Sequence, residues 1–252
     1  MPDTRTHRGP HPSDRKLFAP ESLTKLREAM DDFCWLLTRG YGSDGALRLV
    51  GDHFQLAERQ RTALRRGGCS ALAAERRRSR RVELEDLTNQ RVGIDGFNCL
   101  ITVEAALSGG VVLRGVDGSH RDLASVHGTY RHVSETETAL RYLCATLTAV
   151  RPRAVTWYLD SPVSNSGRLA TLMRSRFEVE GLAWDVELVK NADRSLQEAR
   201  AVAASSDGWV MDASEGWLDL AGITLLRSVP DAWVVDLGSP HMKHAIETGN
   251  GQ

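Results

Sequence analysis

Apolar segments alternate with helical patterns from residue 89 onward, and this alternation limits the fold more than any other feature of the sequence. The apolar segments are Val92–Ile94, Ala154–Leu159, Trp184–Val189, Ala201–Ala204 and Ala232–Val235. Between them, Thr138–Val150 carries apolar residues at helical spacing. Strands that are separated by helices pair in parallel, and a parallel sheet is covered on both faces. We therefore predict an α/β domain with a mostly parallel sheet sandwiched by helices.

The first 88 residues show a different pattern. A helix is predicted from Pro20, because apolar residues recur at helical spacing, and a second helix is predicted over Ala46–Arg66. The opening residues are rich in Pro, His, Arg and Asp, which is typical of a segment that is disordered until it docks. The predicted organisation is a disordered segment 1–15, a small helical, Arg-rich region 16–88, the α/β domain 89–240 and a flexible tail 241–252.

Charge is unevenly distributed along the sequence. Residues 1–88 contain 17 Lys and Arg against 13 Asp and Glu, whereas residues 89–252 contain 15 against 20. Nine arginines lie in the stretch 58–81. Such a run is typical either of a solvated face or flexible linker, or of an arm that contacts phosphates, since guanidinium groups match phosphate oxygens. On the second interpretation, Arg59 and Arg61 are candidate substrate-binding residues.

The composition indicates where in the cell the protein is located, but it does not indicate a function. The net charge is −1, and no apolar segment approaches the roughly 18 residues that a membrane span requires. Nothing at the N-terminus resembles a secretory signal, so we predict a cytoplasmic protein with no membrane partner. The four cysteines are far apart in the sequence, which predicts small core residues rather than a zinc site.

Aspartates follow four of the predicted strands, namely Asp95, Asp160, Asp193 and Asp207. Parallel sheets bind ligands beyond the carboxyl ends of their strands, so we expect these side chains to share one edge of the sheet. Carboxylates that are brought together repel one another unless a cation neutralises them, and Mg²⁺ or Mn²⁺ prefers carboxylate oxygens. The alternative is that each aspartate simply caps the helix that follows it.

The segment Ile94–Leu100 (Ile-Asp-Gly-Phe-Asn-Cys-Leu) resembles the opening strand of PIN-like nucleases, including their NYN and flap-endonuclease branches. A Gly-rich hairpin, a helix and a strand ending at Asp160 follow it, and this succession is similar to that of the flap-endonuclease branch. Residues 191–207 resemble the NYN pattern, in which an Asp and a helix are followed by Ser-x-Asp. The resemblance implies a PIN-like fold for the C-terminal domain.

The same resemblance implies roles for individual residues. The residues that would bind metal are Asp95, Asp160, Asp193 and Asp207. The first, second and fourth of these would be catalytic, and Asn98 would contact substrate as a polar orienting group. The sequence departs from the pattern at Trp209, where the NYN form would place a second acid, and Asp212 is a loose substitute. The glutamate-rich motif of flap endonucleases has no clear equivalent.

The whole chain also resembles the prokaryotic family called domain of unknown function 434, whose members pair a helical N-terminal region with a C-terminal domain of this kind. The resembling segments are His11–Asp14, Arg39–Tyr41, Leu49–Asp52, Arg59–Arg61, Ile94–Asn98 and Asp160–Arg168. This resemblance extends over nearly the full length and implies no particular activity.

Two further segments hold candidate substrate-binding residues. In the polar loop after Leu159, Asn165, Ser166 and Arg168 would bind a phosphate through backbone N–H groups and a guanidinium fork. The alternative is a loop in which Ser or Asn only caps the next helix. His127 would act as a general acid or contact the substrate, or it is simply solvated.

These residues lead to three hypotheses about function. The first is a metal-dependent nuclease of PIN-like fold, which cleaves RNA or single-stranded DNA with a water activated by Mg²⁺ or Mn²⁺. The second is a catalytically inactive nucleic-acid-binding or regulatory module. The third is an enzyme that acts on a small phosphorylated or nucleotide ligand, which requires a closed pocket rather than an open, basic groove. No particular oligomeric state is indicated.

Overall fold

The structure is a computed structural model of the chain, and it describes residues 7–123 and 130–238. The helices that precede the first strand are α1 (Asp14–Leu17), α2 (Pro20–Thr38), α3 (Ser43–His53), α4 (Glu58–Gly67) and α5 (Ala71–Ser79). After a 3₁₀ turn, the chain continues with β1 (Arg91–Asp95), α6 (Gly96–Leu107), β2 (Val112–Arg114), β3 (His120–Asp122), α7 (Thr136–Thr148), β4 (Ala154–Asp160), α8 (Ser166–Val179), β5 (Asp185–Val189), α9 (Ala192–Glu198), β6 (Val202–Ala204), α10 (Gly208–Ala213), β7 (Trp217–Leu218), α11 (Leu220–Ser228) and β8 (Val234–Asp236).

The helix predicted from Pro20 is confirmed as α2, and its apolar residues Leu26, Met30 and Phe33 are buried. The single helix predicted over residues 46–66 is wrong, because this stretch forms parts of two helices, α3 and α4. Gln55 lies between them with φ at 48°, in the left-handed region, so a right-handed helix cannot continue through it.

The main sheet has five strands in the order β5-β4-β1-β6-β7, and all of its pairings are parallel. The predicted α/β class with a parallel sheet is therefore confirmed. Helices α6, α7, α8 and α11 pack on one face over a large core that includes Ile94 and Trp157. Helices α9 and α10 pack on the other face over a smaller cluster that includes Tyr158, Leu196 and Val210. Both faces are covered, as the continuous apolar strands require.

A second sheet has three strands in the order β3-β2-β8. The strand predicted at residues 232–236 corresponds to β8 and lies in this smaller sheet, not in the main one. Val235 of β8 and Leu113 of β2 belong to the same apolar core as Met30 of α2 and Leu64 of α4. The boundary predicted at residue 88 therefore separates the helices from the main sheet but does not separate two cores, since the smaller sheet packs with the helical region.

Residues 7–15 pack against the rest of the protein, and their composition is typical of a segment that is disordered until it docks. Arg59 binds the buried carboxylate of Asp14, and Arg8 binds the buried carboxylate of Glu104. These ion pairs fix the segment, because separating them would leave a buried charge without compensation. The predictions that concern residues 1–6, His127 and the tail 241–252 fall outside the described residues.

All four cysteines are buried and free, as predicted. Burial raises the pKa of Cys34 and of Cys69 to about 12, so these thiols stay protonated and behave as small apolar residues. Among the helices that the structure describes, none is both long and apolar enough to cross a bilayer.

Candidate functional site

The carboxyl ends of the main-sheet strands border a crevice at the point where the strand order reverses. Strand β4 lies on one side of β1, and β6 lies on the other. The helix after β1, α6, packs on one face of the sheet, whereas the helix after β6, α10, packs on the opposite face. Loops that leave in opposite directions open a space between the strand ends, and open α/β sheets bind their ligands in this space.

Asp95 is the last residue of β1, and only 7% of its surface is exposed. Its carboxylate accepts hydrogen bonds from the N–H of Asn98 (3.1 Å) and from the hydroxyl of Ser205 (3.1 Å). Burial raises the pKa of Asp95 from 3.8 to about 7, and the charges of Asp193 and Asp160 add to this rise. Near neutral pH, this carboxyl is therefore close to the midpoint between its protonated and charged forms.

Asp160 and Asp193 lie close enough to Asp95 to act on its charge. Asp160, the last residue of β4, accepts a hydrogen bond from the N–H of Ala192 at the start of α9 (2.8 Å). Asp193 lies in the first turn of α9 and makes no hydrogen bond or ion pair within the described residues. Burial, followed by the charges of Asp207 and Asp160, raises the pKa of Asp193 from 3.8 to about 6.

Asp207 follows β6 and caps α10. Its Oδ1 accepts hydrogen bonds from the N–H groups of Trp209 (2.8 Å) and Val210 (3.2 Å). The preceding residue, Ser206, donates to Asn98 Oδ1 through its N–H (3.0 Å) and its hydroxyl (2.9 Å). Asn98 therefore orients the loop that carries Asp207. This is a positioning role between the ends of β1 and β6.

We call the four aspartates Asp95, Asp160, Asp193 and Asp207 the acidic rim. The structure brings them to one edge of the main sheet, where their charges act on one another. The helix-capping alternative also applies to the first and the last of them, because their side chains cap α6 and α10. Charge repulsion and capping therefore coexist at this edge, and capping alone does not relieve the repulsion.

The donor set of the acidic rim consists of carboxylate oxygens, which suit a hard divalent cation such as Mg²⁺ or Mn²⁺. Within the described part of the chain, however, no three His, Cys, Asp or Glu side chains lie close enough together to hold an ion directly. A cation at this rim would therefore have to keep several of its own waters between itself and the carboxylates, as Mg²⁺ commonly does.

A cavity of about 470 Å³ adjoins the acidic rim. Its lining includes Arg65 and Arg66 of α4, Arg77 of α5, Arg121 of β3, and Asn98 and Asp207 at the strand ends. The cavity thus lies where the helical region meets the main sheet. It combines guanidinium groups with two carboxylates, Asp207 of the rim and Asp122, which pairs with Arg66.

An ionic network that the sequence did not indicate lies beneath this cavity. Asp117, in the turn between β2 and β3, is bound by Arg77 (2.9 Å) and by both terminal nitrogens of Arg121 (2.7 and 3.1 Å). Although burial opposes ionisation, these partners hold the pKa of Asp117 well below its usual range. Arg121 also donates to the carbonyl of Ser206 (2.8 Å), so the network reaches the loop that carries Asp207. The only sequence signal was the density of arginines.

Asp212, the loose substitute for an acid at position 209, is not part of the acidic rim. Arg77 binds both of its carboxylate oxygens, and Arg76 binds one of them. These arginines lower the pKa of Asp212 and neutralise its charge. Its role is to attach α10 to α5.

The arginine-rich stretch 58–81 is neither a flexible linker nor an extended arm. It forms α4, α5 and the turns around them, and each of its nine arginines contacts a carboxylate or a backbone carbonyl of the protein. Arg59 binds Asp14, and Arg61 binds Asp52. Neither residue is among those that line the cavity.

The loop after β4 presents two of its three candidate residues to solvent. Asn165 precedes α8 with φ at 68°, and its side-chain amide donates to the carbonyl of Tyr130 (2.8 Å) instead of capping the helix. Ser166 is buried, with its hydroxyl directed to the carbonyl of Ser161 (3.4 Å). Arg168 is exposed and has no polar partner within residues 7–123 and 130–238.

Known families match this chain in two consecutive parts. Residues 84–223 match the family described as Domain of unknown function (DUF5616), and residues 25–80 match Protein of unknown function (DUF434). The chain belongs to the DUF5616 family. A Methanocaldococcus jannaschii protein described as Uncharacterized protein MJ0935 is 32% identical over 180 residues, which cover 71% of this chain and 86% of that protein. No solved structure matches the chain.

The DUF5616 match contains all five strands of the main sheet and the whole acidic rim. The DUF434 match covers most of α2 and all of α3, α4 and α5. The DUF434 resemblance seen in the sequence is therefore confirmed for the helical region only, and the motifs at 94–98 and 160–168 belong to the DUF5616 domain. The change of family between residues 80 and 84 lies close to the boundary predicted at residue 88.

Proposed function

We propose that the DUF5616 domain is a metal-dependent nuclease of PIN-like fold that cleaves RNA or single-stranded DNA. The observation that carries this proposal is the acidic rim. Its four aspartates come from separate strand ends, the charges of neighbouring rim members add to the raised pKa of Asp95 and of Asp193, and none of the four forms an ion pair with an arginine or lysine in the described residues. An uncompensated cluster of buried and half-buried carboxylates is costly unless a cation binds to it.

The order of the elements supports the PIN-like assignment. Asp95 ends the first strand of the main sheet, a small hairpin and α7 follow, and the neighbouring strand β4 ends at Asp160. This is the succession that the resemblance to flap endonucleases implies. Asp193 and Asp207 then follow β5 and β6, as the NYN pattern implies.

A divalent cation at the acidic rim would supply an activated water and stabilise charge on a phosphodiester. The residues of the chain would orient the metal ligands and bind the substrate. Asp95 and Asp207 are fixed by hydrogen bonds from neighbouring amides, so their carboxylates are oriented before any ligand binds. Arg65 and Arg66 line the adjoining cavity and would contact the phosphates that flank the cleaved bond.

A binding module without catalytic activity is the second candidate function. It is favoured by the absence, within the described residues, of three acidic or histidine side chains at direct ligation distance from a common point. It is also favoured by Asp212, whose charge is already neutralised by Arg76 and Arg77. Such a module would keep the cavity and bind nucleic acid without cleaving it.

The test is thermal unfolding with and without Mn²⁺ for the wild type, Asp95→Asn, Asp160→Asn and the control Asp185→Asn. Asp185 starts β5 at the opposite edge of the sheet and is exposed.

We expect Mn²⁺ to raise the Tm of the wild type and of the control, and to raise it much less in the two rim variants. RNA and single-stranded DNA cleavage should be lost in the same two variants. An equal Mn²⁺ shift in all four proteins would contradict the metal site, and a metal shift without cleavage would favour the binding module.

A further inference from the structure

Trp209 is an exposed aromatic side chain beside the acidic rim. It is 53% exposed, whereas Trp157 and Trp217 are completely buried. It belongs to none of the three apolar clusters of the described residues, and it makes no ring contact with another aromatic or with an arginine there. An indole that contributes nothing to a core is a large apolar surface available to a ligand.

The backbone beneath Trp209 is held firmly. Asp207 Oδ1 accepts the N–H of Trp209 at 2.8 Å, and the next residue, Val210, is buried in the small cluster between the sheet and α9 and α10. The residue before Trp209 is Gly208, and Arg77 packs closely against its backbone. A Cβ added at Gly208 would lie only 2.8 Å from a terminal nitrogen of Arg77. The indole is therefore an exposed platform on a fixed first turn of α10.

Trp209 does not itself line the arginine-lined cavity, but it is next to that cavity along the chain. Asp207 and Gly208 line the cavity, and Trp209 follows them directly in the chain. A strand of nucleic acid has the same alternation of chemistry, with an anionic phosphate one bond away from the sugar that carries a flat base. Guanidinium groups bind the phosphate and aromatic side chains stack on the base in sites of this kind.

We propose that Trp209 stacks on an unpaired base of a single-stranded nucleic acid whose neighbouring phosphate lies in the cavity that Arg65 and Arg66 line. This inference rests on the proposed function and specifies the substrate as single-stranded. A base that stacks on a protein side chain must leave its own stack, which a single strand allows at little cost and a duplex resists. The tryptophan at this position thus binds substrate where the NYN pattern would place an acid.

The experiment measures the affinity of a short labelled oligo(U) RNA and of a duplex RNA for the full chain, with Ca²⁺ present. Wild type is compared with Trp209→Ala, Trp209→Phe and Trp35→Ala. Trp35 is a matched control because it is 56% exposed but lies on α2, with Arg39 over its ring, and none of its neighbours along the chain lines the cavity. Cleavage of the same oligo(U) with Mn²⁺ is measured in parallel for all four proteins.

We expect Trp209→Ala to weaken oligo(U) binding roughly 5- to 100-fold, in line with the loss of one base–aromatic stack. Trp209→Phe should recover most of the affinity, and duplex binding should hardly change. Equal affinities of Trp209→Ala and Trp35→Ala for oligo(U), in a protein that still cleaves it, would overturn the stacking role and leave the proposed nuclease intact. Equal losses in the Ala and Phe variants would also overturn it. A wild type that neither binds nor cleaves any nucleic acid would overturn both proposals.

Discussion

Two buried aspartates of this protein have opposite electrostatic environments. Asp117 is bound by two arginines and by Ser119, and its pKa lies well below the usual range. Asp95 is bound only by neutral donors and feels the charges of other aspartates, and its pKa rises to about 7. The chain therefore has the means to neutralise a buried carboxylate. Arginines neutralise Asp117 where the helical region joins the smaller sheet. No arginine pairs with Asp95 at the edge where a ligand would bind.

The comparison predicts that Asp117→Asn has the largest effect on stability. Removing one partner from a buried ion network leaves the guanidinium groups of Arg77 and Arg121 without full compensation, which typically costs about 3–5 kcal/mol. The measurement is the free energy of unfolding in urea. Asp236→Asn is the control, because Asp236 is paired with Arg114 at the surface and such pairs contribute up to about 1 kcal/mol. A loss in Asp117→Asn no larger than in the control would contradict the structural role of the network.

Asp95→Asn should reduce the fall in the free energy of unfolding between pH 5 and pH 8 by about 2–4 kcal/mol. Metal is removed with a chelator for this measurement. The folded protein holds the Asp95 proton more tightly than the unfolded chain does. The stabilising contribution is therefore complete below the ordinary pKa of 3.8 and is lost as the pH rises through about 7. In the wild type, stability should fall over this range.

In Asp95→Asn this fall should be reduced, because the side chain at position 95 no longer ionises. Thermal unfolding at several pH values makes the measurement. Asp185→Asn, at the opposite edge of the sheet, should keep the wild-type slope. If Tm changed with pH equally in Asp95→Asn and in the wild type, the charge of Asp95 would have to be neutralised in solution. The contrast with Asp117 would then disappear.

Asn98→Ala should have the smallest effect of the three, a loss of about 1–2 kcal/mol in the free energy of unfolding. Asn98 Oδ1 accepts two hydrogen bonds from Ser206, and its removal leaves these donors unsatisfied near the acidic rim. Asn98→Asp keeps the acceptor and should retain more stability at pH 5 than at pH 8, because it adds a fifth carboxylate to the rim. The result is read from urea unfolding at both pH values.

Much of the main sheet could be predicted because its signals are local. The apolar runs of β1 and β4, the alternating pattern of β5 and the helical spacing of α2 and α7 each depend on a few neighbouring residues. The aspartates at the strand ends could be predicted for the same reason, since a parallel sheet places all such ends at one edge. The sequence therefore also indicated which four residues would lie at that edge.

Other features depended on partners far apart in the sequence. The charges of the arginine-rich stretch indicated an arm or a linker, but its guanidinium groups bind acids as distant as Asp117 and Asp212. The strand β8 has an ordinary strand pattern, but its assignment to the smaller sheet depends on its pairing with β2. Disorder was expected for residues 1–15 from their composition, but the buried carboxylate of Asp14 has a partner in Arg59, far along the chain.

By itself, the sequence determined the α/β class, the strand ends and the aspartates placed there, because backbone periodicity and strand direction are encoded within short segments. The tertiary structure alone decided which charges are neutralised. Coulombic energy depends on distance and burial in space, so the same residue type is fully paired at Asp117, uncompensated at Asp95 and bound to α5 at Asp212.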